Sequence, residues 1–320
     1  MPSMITHDLF AKDLLEESDL RLAGEVKKAF LLGAQGPDPL YFLRVDPRYL
    51  AQAPGTLAQH LHTRNTTALL VSLRHCLDRL PAAFQPLAHA YAAGFLAHYA
   101  LDSTAHPLVY ALEYRICDAG VEGLTRQSKG EVHHAIEHEL DEALLFRRTG
   151  ETVARHNPGR EILQGARSTL DAIGTFYVQI ARATYQRAIS DRLYGDAVRA
   201  YRTVERLLWS PSGRKRAVLG AIEESARPFS LVKAFTHRPV QIETTWFAND
   251  AHHDWENPFT GELTRKSFAD LYDEALLLAL DLTRAFEAGP FDEATVRTLT
   301  GGLNFDGDVP NDLYEEGAIA

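Results

Sequence analysis

Cysteine is scarce in this chain of 320 residues, which has Cys76 and Cys117 and no other. Two thiols make at most one bridge, so a disulfide framework is excluded and both read as buried thiols. Long hydrophobic runs are missing too: no window holds the roughly 18 or more uninterrupted apolar residues that a membrane-spanning helix needs. The opening Met1-Pro-Ser-Met-Ile-Thr-His-Asp8 has no basic region followed by an apolar stretch. No secretory signal is read there, and a reducing, cytoplasmic setting is expected. Positive charge is in deficit. Lys and Arg number 33 against 43 Asp and Glu, a formal net charge of −10, which argues against a protein that coats nucleic-acid backbone, because such binding draws on basic patches to release counterions. A phosphate substrate remains compatible with that balance, since bound divalent cations can reverse the local sign.

Alternating strand patterns of useful length are absent as well, and apolar residues recur mostly at helical spacing. The expected fold is all-α, and 45% hydrophobic content suffices for a substantial core. Helices are expected over residues 5–16, 20–33, 55–80, 85–103, 129–148, 160–190, 193–209, 212–226 and 265–288. Gly36-Pro-Asp-Pro39 and Asn157-Pro-Gly159 punctuate them. Residues 1–150 carry the candidate chemistry, whereas residues 151–320 read as a helical continuation, scaffold or lid, packed into the same domain, with Arg-rich helix faces over 160–226. Residues 237–262, with Asn249-Asp-Ala-His-His-Asp-Trp255 inside them, read as a polar, aromatic loop of the kind that often carries function. The acidic end, Asp306 to Glu316, reads as a loosely packed tail.

What the chain has in abundance is histidine: 14 in all, with His60, His62, His75, His89, His98, His106 and His133 concentrated in one region. Within Gly94-Phe-Leu-Ala-His-Tyr-Ala-Leu-Asp-Ser-Thr-Ala-His-Pro107, His98, Asp102 and His106 stand four residues apart. On a helix that spacing stacks them along one face, and imidazole with carboxylate suits zinc. The neighbours are apolar, so the Asp should be buried and in need of a partner, for which a cation is the simplest candidate. The alternative is a hydrogen-bonded His-Asp-His chain. His133 and Glu137 repeat the four-residue spacing; His134 and His138 share it but face about 100° away. The first pair is preferred because Glu is a hard ligand able to balance zinc charge, and the second reads as a solvated face. His60 and His62 lie on opposite sides of one helix and pose the same choice. Asp38 sits in its Gly-Pro-Asp-Pro turn either as a ligand or as an Asx brace, and His7 near a helix start is a ligand or an ordinary residue. His75 and His89 read as structural core histidines.

Five segments resemble the zinc-dependent phospholipase C family in chain order across about the first 145 residues. They are Ile5-Thr-His-Asp-Leu-Phe-Ala-Lys12, Phe30-Leu-Leu-Gly-Ala-Gln-Gly-Pro-Asp-Pro39, Leu61-His-Thr-Arg-Asn-Thr66, the segment around His98 to Pro107, and His133-His-Ala-Ile-Glu-His-Glu-Leu-Asp141. The resemblance implies a compact helical bundle shared with single-strand-specific fungal nucleases. It implies that Asp38, His62, His98 and Asp102 surround one zinc ion, that His106, His133 and Glu137 hold a second, and that His7 with bridging Asp102 holds a third. It selects His62 over His60, because the family histidine is followed by a short polar run ending in Thr. Secreted members complete the third position with a processed N-terminal tryptophan that this sequence lacks, so two zinc ions are expected with a third position short of a ligand. The short interval from Asp102 to His106 is similar to the signal-less bacterial branch of the family.

The implied activity is metal-assisted phosphoester hydrolysis, with Asp38 beside the attacking water as proton acceptor. The expected partner is a small phosphoester or a phospholipid headgroup. The same cluster could serve a nuclease or 3′-nucleotidase, for which Tyr41, Phe42, Trp246 and Trp255 are candidate cleft aromatics. A catalytically idle metal-binding helical protein is the reading from a different class; it would close every coordination position with protein. No basic amphipathic helix offers a route to a bilayer.

Overall fold

The computed structural model describes residues 4–49, 55–120, 124–225 and 230–309. At its centre runs α5 (Gln85–Cys117), 33 residues in one helix and about 50 Å long. Its apolar side chains point in all directions, and Tyr91, Phe95, Leu101 and Leu108 are at most 1% exposed. A helix that is apolar all round belongs inside a bundle, and each such side chain contributes about 1.5–3 kcal/mol by burial. Packed around it are α1 (Met4–Glu17), α2 (Gly24–Gly33), α6 (Lys129–Thr149), α8 (Arg167–Tyr185) and α12 (Phe268–Ala288). The closest seam is between α2 and α5, where a Cβ on Gly33 would lie 2.0 Å from the Tyr91 carbonyl oxygen and one on Gly94 2.0 Å from that of Phe30. Two facing glycines let these backbones touch, which carries the chain after α2 directly over the polar stripe of α5.

That chain enters a 3-10 segment, Asp38–Val45, followed by α3 (Gly55–Thr63) and α4 (Thr66–His75). The second half supplies α7 (Pro158–Glu161), α9 (Leu193–Leu208), α10 (Arg214–Glu224), α11 (Leu231–Ala234) and α13 (Glu293–Thr300). It buttresses the first half: α9 packs on the 3-10 segment, with Phe42 stacked on Tyr201 at 3.7 Å. Tyr91 and Tyr177 both donate hydrogen bonds to the Gly36 carbonyl, at 3.0 and 3.3 Å.

The all-α expectation holds, with one small hairpin, β1 (Trp255–Glu256) and β2 (Leu263–Thr264), inside the 237–262 loop region and just beyond it. Several helix boundaries differ from expectation: α2 begins at Gly24 rather than 20, and α13 is not among the expected helices. The helix expected over 55–80 breaks at Asn65, whose φ of 53° is left-handed. The helix expected to stop at 103 runs through Pro107 to Cys117, because burial on all sides outweighs the one backbone hydrogen bond that proline removes. The helix expected over 160–190 is confined to 167–185, closed by Gln186 at φ 51°. The expected loose tail is also corrected at its start: Asp306 accepts from the Tyr110 hydroxyl and Gly307 is buried, continuing a strap across α5 that begins at the buried Asn304 and Phe305. The remainder of that tail from 310, like the opening residues 1–3, lies outside the described residues.

Candidate metal centre

His98, Asp102 and His106 project from consecutive turns of α5 and are at most 1% exposed. Asp102 is the hub. Its Oδ2 lies 3.1 Å from His98 Nε2, and its Oδ1 lies 3.2 Å from His7 Nε2 and 3.9 Å from His106 Nε2. Two further groups flank this stripe. On one side Asp38 Oδ1 lies 3.0 Å from His62 Nε2 and 3.8 Å from His98 Nε2. On the other, Glu137 Oε1 lies 3.1 Å from His133 Nε2 and 3.6 Å from His106 Nε2. All eight expected side chains therefore meet, in three groups that could each hold an ion: His7 with His98 and Asp102, Asp38 with His62 and His98, and His106 with His133 and Glu137.

The backbone explains how residues so far apart in sequence converge. Gly36 takes a φ of +49°, and a Cβ there would stand 2.2 Å from His98 Cδ2. The bare glycine turn thus lets the chain close over the His98 ring and aim Asp38 from the following 3-10 segment. At the other end Asp141 of α6 accepts from the backbone N–H groups of Ile5 and Thr6, capping free amides in the first turn of α1, the turn that carries His7. His237, from the loop region, donates to the same carboxylate at 2.9 Å.

Four of the five cluster imidazoles are oriented from behind. Nδ1 donates to a backbone carbonyl in His62 (Ala58, 2.8 Å), His98 (Ala34, 3.2 Å) and His106 (Phe305, 2.7 Å). In His133 it donates to Glu113 Oε2, at 2.8 Å. That arrangement presents Nε2 to the cluster and is the usual support of a metal-ligating histidine. Burial acts to raise the Asp102 carboxyl, but the imidazoles of His98 and His106 outweigh it and hold the group well below the ordinary carboxylate range. Burial lowers His98. An ionised Asp102 beside a neutral His98 is the protonation state a cation requires.

The residues fit zinc. Tetrahedral zinc with bonds of about 2.1 Å holds its donor atoms about 3.4 Å apart, in the middle of the separations found here. His98 Nε2, His106 Nε2, both Asp102 oxygens and both His7 nitrogens are buried without a hydrogen-bond partner among the described residues. Leaving that many polar atoms unsatisfied costs about 1–3 kcal/mol each, and a shared cation removes the cost.

The members of each open pair take different surroundings, although His134 Nδ1 also lies 3.5 Å from Glu137 Oε2. His60 lies against Tyr185, away from the cluster. His134 and His138 are not a solvated face: His134 packs on Phe235 at 4.1 Å and His138 stacks on His237 at 4.0 Å. His75 and His89, expected in the core, sit at the surface, exposed and half-buried respectively. The sequence reading missed Tyr110 and Glu113, although they extend the α5 stripe four and seven residues beyond His106, and Phe305, whose contribution is a backbone carbonyl without a sequence signature.

A cleft of about 500 Å³ opens beside His133. Tyr41, Phe42, Tyr110, Tyr114 and Phe235 supply its rings. Trp246 and Trp255 are elsewhere, the first 55% exposed beside Arg115 and the second bonded to the Lys266 carbonyl. The 237–262 loop does reach the cleft's edge, where Phe259 meets Tyr110 edge-on at 5.4 Å. No helix among the described residues is long and apolar enough to cross a membrane.

A family model described as zinc dependent phospholipase C matches residues 6–187. The match covers more than half of the chain and includes every residue of the cluster. Comparisons with curated proteins and with solved structures give no match.

Proposed function

The chain belongs to the zinc-dependent phospholipase C family, and from that premise we propose that it hydrolyses phosphoesters at this cluster. Asp38, His62, His98 and Asp102 would hold one zinc ion, His106, His133 and Glu137 a second, and His7 with Asp102 a third position. Zinc, when bound, supplies an acidified water and a positive hold on the phosphate oxygens. Asp38, at the end of the cluster reached from the 3-10 segment, accepts the proton of the attacking water. The new P–O bond forms as the bond to the leaving alcohol oxygen breaks, and the proton passes to that oxygen. The four oriented imidazoles keep the donors in place throughout, so little reorganisation accompanies the reaction.

The observation that carries this reading is the junction of a buried polar cluster with an open cleft at His133. A purely structural zinc site is closed by four protein ligands, whereas a catalytic one keeps access for water. The ring-lined cleft also supports a second reading, a nucleotide phosphoester whose base stacks on those rings.

The test is elemental analysis of tag-free protein prepared without added metal, paired with turnover of 4-nitrophenyl phosphoesters. Two or three zinc atoms per chain with hydrolysis are expected, and Asp102→Asn should lose both. A folded chain that cannot be loaded with zinc would sink the proposal.

A further inference from the structure

Two cations line the cleft beside His133 in a protein whose net charge is −10. Arg44, from the 3-10 segment, and Lys129, from the start of α6, line it from two different elements. Neither has a carboxylate partner among the described residues. The acids that border the cleft are engaged: Glu113 accepts from His133 Nδ1, and Asp306 accepts from the Tyr110 hydroxyl at 2.9 Å. Arg44 and Lys129 are therefore the charged groups of the cleft left free to meet an anion.

The rings carry the same message. A cage of tyrosines would suit a quaternary ammonium group, which binds on aromatic faces. Here two of those faces already hold the protein's own cations. The Arg44 guanidinium lies 5.5 Å from the centre of the Tyr41 ring, and Arg126 lies 4.5 Å from that of Tyr114. Arg126 is itself paired with Asp118, so a trimethylammonium group settling on Tyr41 would displace the Arg44 guanidinium and meet the Lys129 ammonium.

We propose that the preferred substrate is a phosphoester bearing a second anionic group, a phosphate or carboxylate, which Arg44 and Lys129 bind while the scissile phosphate lies at the cluster. This rests on the hydrolase reading above and adds the class of substrate. The second anion takes the place that a cationic headgroup would need, and the rings pack against the connecting carbon skeleton.

Three 4-nitrophenyl phosphodiesters test it, differing only in the other alcohol: ethyl, 2-(trimethylammonio)ethyl and 2-carboxyethyl. With the zinc-loaded full chain, kcat/KM for the carboxyethyl ester should exceed that for the other two by about tenfold, the size expected of two screened charge pairs. The ratio should shrink at high salt and fall to about one in Arg44→Gln/Lys129→Gln. A preference for the trimethylammonium ester overturns the proposal, as does a ratio unchanged in the double variant. Hydrolysis of none of the three esters, nor of 4-nitrophenyl phosphate, instead removes the hydrolase reading beneath it. Vesicles containing phosphatidylinositol 4-phosphate, set against its soluble deacylated form, then locate the second anion. Cleavage in vesicles alone assigns it to a lipid headgroup, and cleavage of the soluble form assigns it to a free phosphoester.

Discussion

Replacing Glu113 by alanine should loosen one metal position and spare the others. The Glu113 side chain is 2% exposed and holds His133 through a single 2.8 Å contact to Nδ1. A hydrogen bond to a charged group is worth about 1.5–3 kcal/mol. Outer partners of metal-ligating histidines, when removed, lower metal affinity by about 10–100-fold, which converts to about 1.4–2.8 kcal/mol. The two routes agree, so the ion shared by His106, His133 and Glu137 should weaken by that amount. Glutamine at 113 keeps an acceptor oxygen without the charge and should fall in the lower half of the range. The assay is competition with a zinc chelator on the full chain, with zinc per chain measured at each chelator concentration. Glu113→Ala should release one equivalent at a chelator concentration tenfold or more below that needed for the unaltered protein. A release curve that overlays the unaltered one would refute the reasoning, since a buried carboxylate with one partner would then contribute nothing to that partner.

Two other perturbations probe the frame of the site. Gly36→Ala places a Cβ 2.2 Å from His98 Cδ2 at a φ of +49°, so it should destabilise the fold by at least about 1–2 kcal/mol and reduce bound zinc. Unfolding midpoint and zinc content together check this, and an unchanged midpoint would show that the turn is not constrained. Burial pushes the Glu205 carboxyl from 4.5 up to about 7, so between those values the folded chain keeps a proton that the unfolded chain has released. Stability should therefore fall as pH rises from 4.5 to 7, by about 3 kcal/mol for this group. Glu205→Gln should flatten that slope and gain stability above pH 7 in urea unfolding; an identical slope in the variant would exclude Glu205 as its source.

The histidine stripe was legible in the sequence because a helix turns regular spacing into a shared face, and α5 forms as a helix wherever its ends fall. The choice of His133 with Glu137 over His134 with His138 followed from ligand chemistry and agrees with their placement at the cluster. The surroundings of the rejected pair did not follow, since His237, which covers His138, comes from about a hundred residues further on. The end of α5 was not legible, since tertiary burial carries it past 103 and through Pro107 to Cys117. Least legible were the carbonyls of Ala34, Ala58 and Phe305, since any residue type can offer one. Glu113 and Tyr110 stood within reach, on the same face as the ligands, but nothing local separates an outer partner from a buried side chain.

The strap across α5 ties the site to the order in which the chain is made. The Phe305 carbonyl that orients His106 comes from 199 residues later in the chain, and Phe305 N–H reaches back to the His62 carbonyl at 3.1 Å. A nascent chain with all eight donors already outside the ribosome still lacks this closing piece. A chain cut short before the strap would leave His106 Nδ1 and the His62 carbonyl without these partners.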